Sequence, residues 1–146
     1  MADGLDSSAL HRRPGGTGNP VGWLLWQLTR VQDDHVAGIA GTSQAWEEWQ
    51  QRFGLPNGLD DIGYGHSSEQ VAAVRIADPD LLTGYHAEVH RATLECLEEL
   101  DDAGLARVVD RRWDPPVTAG VRLVSVVGDC LQHLGQAAYV KGLLTV

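Results

Sequence analysis

The chain has 146 residues, 43% of them hydrophobic and 21% charged, with a formal charge of −9. That length fits one domain with a real core, and an acidic surface without a basic stripe repels phosphate, which excludes nonspecific nucleic-acid binding. No apolar run approaches the ~20 residues that span a bilayer, and "MADGLDSSALHRRPGG" lacks the apolar stretch of a signal peptide, so a cytoplasmic protein with no membrane partner is expected.

In chain order, residues 1–18 read as an irregular segment, with "RRPGGTGNP" rich in turn formers. The remainder, 19–146, reads as one helical domain. Asn19 is expected to cap a helix with Pro20 at its first position, running to about Gly41 and apolar over most of its first half. A short helix follows from about Ser43 to Phe53, stopped by Gly54. "LPNGLDDIGYG" reads as a loop. Ser67 or Ser68 then opens a helix to about Ala77. Asp78 caps the next one, with Pro79 at its start and Leu82, Tyr85, Val89, Ala92, Cys96 and Leu100 as its inward stripe. After "DPP", Thr118 opens a last helix to Leu144. Strand-like alternation is confined to a few residues around Leu105 to Val109. Cys96 and Cys130 stand alone within helical patterns, without CxxC or a disulfide framework, and read as small buried hydrophobes. The fold class is therefore all-α, a bundle on three long helices.

Facing polar side chains of such a bundle are where cofactor sites are built. On the last helix Ser125, Asp129, His133 and Gln136 form one polar row. On the first long helix the candidates are Gln27, Arg30, Asp34 and His35. Asp129 and His133 are one turn apart, so they share a face. A carboxylate and an imidazole so placed either share a divalent ion or make a structural hydrogen bond, and the spacing alone leaves both open. His86 and His90 are also four apart, with Glu88 between them. The order departs from H-E-x-x-H, where the acid directly follows the first His, so a metal hydrolase on this pair ranks lowest. His66 reads as a loop residue beside a helix cap, and His11 as part of a mobile tail.

The stretches "NPVGWLLWQLTRVQDDH", "GYGHSSEQVAAVR" and "WDPPVTAGVRLVSVVGDCLQHLGQAAYVKGLL" together resemble the DinB-like superfamily, over Asn19 to Leu144. (The DNA polymerase of that name is unrelated to this resemblance.) The resemblance implies a four-helix bundle, usually a homodimer, with a divalent metal such as zinc or nickel. It also implies a first helix that is missing or shortened here, whose place a partner would cover. Characterised relatives include thiol-dependent transferases and isomerases such as mycothiol-dependent maleylpyruvate isomerase, so a low-molecular-weight thiol and a small-molecule substrate are implied too. Carried over by position, the metal ligands fall on Asp129 and His133, and the family's other histidine falls on Gln27. An amide is a weaker donor than imidazole for zinc or nickel. Arg30 and His35 are the candidate catalytic residues, to orient an anionic substrate. The alternative is a non-catalytic binding bundle with a degenerate metal site.

Overall fold

The helical periods of the sequence become helices over 66% of the residues that the computed structural model describes, 4–144. In chain order these are α1 (Ser7–His11), α2 (Val21–Ala40), α3 (Trp46–Phe53), α4 (Ser68–Ala73), α5 (Pro79–Glu98) and α6 (Asp102–Ala106). A small antiparallel hairpin follows, β1 (Val108–Asp110) with β2 (Val117–Thr118), and leads into α7 (Ala119–Leu144). The all-α bundle on three long helices is the observed architecture. Its axis is α2, along which α7 and α5 both pack.

Every residue of α2 from Val21 to Asp33 is buried, because the helix is flanked on several sides, which explains its nearly continuous apolar first half. Pro20 lies at the N-cap in extended geometry, and its carbonyl accepts the first helical bond from the Leu24 amide at 3.1 Å. The helix thus begins one residue later than a proline at its first position would place it. Gly41, at φ +72°, closes the other end. The cap at Asp78 forms as expected, its side chain accepting from the Asp80 amide. Leu82, Tyr85, Val89 and Cys96 of the α5 stripe are buried. Ser67 opens α4 through a capping box with Gln70.

Two stretches differ from the sequence expectation. The segment before α2 contains α1, capped by Asp6, and it is packed: Leu5 and Leu10 lie in the core. His11 accepts from the Ile76 amide at 2.7 Å through Nε2 and reaches the Ser7 carbonyl with Nδ1, so it is tied down at both nitrogens. Arg13 donates to the carbonyls of Thr17, Gly18 and Ser68. Second, α4 stops at Ala73 rather than near Ala77. Val74 and Ile76 are both buried, and side chains two apart share a side only on extended backbone.

Candidate functional site

The α2–α7 seam is antiparallel. The Trp23 ring meets the His133 ring edge-on at 6.2 Å, Cys130 touches Leu28, and Arg122 reaches His35. One turn on from Trp23, Gln27 therefore stands level with Asp129, one turn back from His133. Within the α7 row, His133 Nδ1 pairs with Gln136 Oε1 at 2.9 Å, and His133 Nε2 lies 3.5 Å from Asp129 Oδ1. Ser125 of the same row is exposed. Because the Gln136 oxygen can only accept, Nδ1 carries a hydrogen and Nε2 faces the carboxylate. The hydrogen bond to Asp129 raises the His133 pKa above its ordinary value, against a smaller opposing effect of burial.

Two oxygens in this region are buried and accept no hydrogen bond: Gln27 Oε1 and Asp129 Oδ2. A buried acceptor without a donor is costly. A divalent cation between an amide oxygen, a carboxylate and an imidazole nitrogen would satisfy both, so the donor set fits such an ion. Among the described residues no group of three or more His, Cys, Asp or Glu side chains is placed to hold one. A third donor to such an ion would have to come from outside those residue types, and the Gln27 amide stands level with Asp129.

Beside this seam sits a residue that sequence reasoning undervalued. His66 has a side chain only 4% exposed. Its ring stacks on Trp26 at 6.0 Å and lies as close to Trp23. The Trp23 indole donates to His66 Nδ1 at 3.2 Å, so Nε2 carries the proton and donates to Asp61 Oδ1 at 2.7 Å. Trp23 thus touches His66 and His133 both. The loop between Asp61 and His66 lies on Gln27. A Cβ at Gly63 would come 2.7 Å from Gln27 Cγ, and its φ is +83°. The motif "DDIGYGH" carried a local signal for this, in two glycines before a histidine. The tryptophans that trap the ring are some forty residues distant, and no local pattern announces them.

The structure does not bring Arg30 or His35 to the Asp129–His133 pair. The Arg30 guanidinium is 0% exposed. It donates to Gln44 Oε1, the Tyr85 hydroxyl and the Leu59 carbonyl, pairs with Asp33 at 3.4 Å, and lies over the Trp46 ring. Burial and the Asp33 carboxylate keep the Tyr85 phenol protonated, although Arg30 opposes them. His35 lies two turns along α2 from Gln27, in a second cluster. Arg122 donates to its Nε2 at 3.2 Å, so its Nδ1–H faces Asp34 at 2.9 Å. Asp110 there holds Arg112 and Arg122, and the bonds from Arg112 keep its carboxyl well below the usual range. His86 and His90 stack at 6.1 Å on α5. Partial burial lowers the His86 pKa. His86 lines an apolar groove of about 370 Å³, with Leu25, Leu28, Leu82, Cys130 and Leu134. Burial there pushes the Cys130 thiol up to about 11, so it is a protonated small hydrophobe at neutral pH. No helix among the described residues is long and apolar enough to cross a membrane.

A family model described as the DinB superfamily matches residues 1–137. Among solved structures, a conserved protein of Enterococcus faecalis is similar, at 29% identity and a TM-score of 0.87, with 96% of this chain and 84% of that chain covered. No curated protein matches.

Proposed function

The chain belongs to the DinB superfamily, and from that premise we propose that its α2–α7 seam holds a divalent cation, zinc or nickel, on Asp129, His133 and the amide oxygen of Gln27. One observation carries this reading. Gln27 Oε1 and Asp129 Oδ2 are both buried and both lack a donor, on helices whose register sets them level beside the His133 imidazole. A cation supplies Lewis acidity and brings the pKa of a nearby water or thiol toward neutrality. The chain's own residues set the conditions. Gln136 holds the proton on His133 Nδ1 and turns Nε2 toward Asp129. Asp129 adds negative charge, and the loop fastened by Asp61, His66 and Trp23 covers Gln27. Such a site suits a thiol-dependent transferase or isomerase that activates a low-molecular-weight thiol against a small-molecule substrate.

The amide at position 27 favours a second reading, a non-catalytic binding bundle with a degenerate site, because zinc and nickel prefer imidazole to a neutral amide. Metal analysis of purified, untagged protein separates the two. After exposure to zinc or nickel and removal of excess, the catalytic reading expects near-stoichiometric metal that Asp129→Ala loses. Metal at background in both proteins would establish the degenerate site.

A further inference from the structure

The chain carries a formal charge of −9, yet residues 107–122 hold four arginines against two aspartates. Three of those arginines, Arg111, Arg112 and Arg122, line a cavity of about 340 Å³ between this segment and α2, beside Asp34, His35 and Asp110. Such a volume takes a small organic molecule. His35 accepts from Arg122 at Nε2 and so adds no charge. The three guanidinium groups therefore outnumber the two carboxylates by one.

The hydrogen-bonding capacity of the cavity says what kind of ligand it takes. Its side-chain acceptors are already engaged. Asp110 Oδ1 accepts from the Arg112 amide at 2.9 Å and from Arg112 Nε at 3.0 Å. Asp110 Oδ2 accepts from Arg112 Nη2 and Arg122 Nη2, both at 2.9 Å. Asp34 Oδ1 accepts from Gln44 at 3.0 Å, and Asp34 Oδ2 takes the Nδ1–H of His35 at 2.9 Å. What remains is donors. Among the described residues nothing accepts from Arg112 Nη1 or Arg122 Nε, and Arg111 has neither a hydrogen-bond nor an ion-pair partner. The side chains of Arg122 and Asp110 are only 18% and 6% exposed. The inner donors are thus fixed before a ligand arrives, which lowers the ordering cost of binding. We propose that this cavity binds a small organic acid, with its one carboxylate on Arg111, Arg122 and the free edge of Arg112 and its apolar part on Ile39 and Val109. A carboxylate only accepts hydrogen bonds and matches the fork of a guanidinium. Its single negative charge balances the surplus of one. The inference does not rest on the cation site, which shares none of these residues and lies about 12 Å away along α2.

Residue-resolved NMR titrations test it, with EDTA present to keep divalent metal off the protein. The probes are acetate, butyrate and benzoate, with benzamide as the uncharged counterpart of benzoate and inorganic phosphate as a different oxyanion. Saturable shifts are expected at the Gly38, Val109 and Arg111 amides and at the Arg122 Nε–H, with benzoate binding more tightly than acetate and benzamide not saturating. Arg111→Ala removes an exposed side chain that has no partner, so it breaks no contact of the fold, and it should weaken carboxylate binding about tenfold. Arg91→Ala takes the same charge from a pair with Glu95 on α5 and should leave binding unchanged. Saturation by none of the three carboxylates would overturn the proposal. So would benzamide binding as well as benzoate, phosphate binding more tightly than every carboxylate, or the two variants behaving alike.

Discussion

At His133 a proton and a cation compete for one lone pair. Asp129 raises the pKa of this imidazole, so Nε2 stays protonated to a higher pH than in a free histidine, near 6.5. Without metal, the ion pair's contribution to stability is fully present below that value and is lost as pH rises through the raised folded-state pKa. Metal binding runs the other way, because the ligand must lose its proton. Zinc affinity is expected to climb about tenfold per pH unit in acid and to level off above the raised pKa. Calorimetric titrations across that range check this, and an affinity independent of pH would remove His133 from the ligand set. Arg30 makes a different demand. It is fully buried against a buried Asp33, so Arg30→Ala leaves that carboxylate without its cation and is expected to cost about 3–5 kcal/mol. Urea unfolding measures it. A change below about 1 kcal/mol, as exposed pairs give, would show that Arg30 does not hold the α2–α3–α5 contact together. Asp129 and His133 were legible because four-residue spacing on a helix is a local fact. The burial of Arg30 was not legible, since its partners Gln44, Leu59 and Tyr85 come from three other segments.

The elements divide along the same line. Helix α5 was legible at both its start and its inward face, because Asp78, Pro79 and the apolar period all lie within it. Helix α4 was read too long, since Val71 and Val74 keep a helical spacing while the core takes Val74 and Ile76 as extended chain. Nothing near α1 signalled that Leu10 would be buried against α2, because that contact depends on how the chain returns. The loop from Asp61 to His66 is the element nearest the candidate site, and Gly63 is its tightest point. Gly63→Ala meets Gln27 at 2.7 Å and a positive φ together. It is expected to lower stability by roughly 1–3 kcal/mol and to leave Trp23 and Trp26 more open to fluorescence quenchers. Gly54→Ala makes the comparison, with φ +63° but open space around the added methyl, and should cost less. Equal losses in thermal unfolding would mean that the loop is not seated on Gln27.

At the scale of the whole molecule, α2 is both the centre of the core and the wall of the candidate site. That buried helix presents a neutral amide, Gln27, level with Asp129 of α7, and leaving its oxygen without a donor there is costly. Composition and period sufficed for the bundle, and the resemblance brought Gln27, Asp129 and His133 together. The trapped His66 and the second cluster around His35 became visible only with the chain folded. One measurement bears most directly on the divalent-cation site: calorimetric titration of zinc or nickel into the wild type, Gln27→His and His133→Ala. Expected are one binding site in the wild type, binding at least tenfold tighter, ~1.4 kcal/mol, in Gln27→His, and none in His133→Ala. Negligible heats from the wild type and from Gln27→His alike would contradict the site, and the two buried oxygens would then have to be satisfied by something other than a metal.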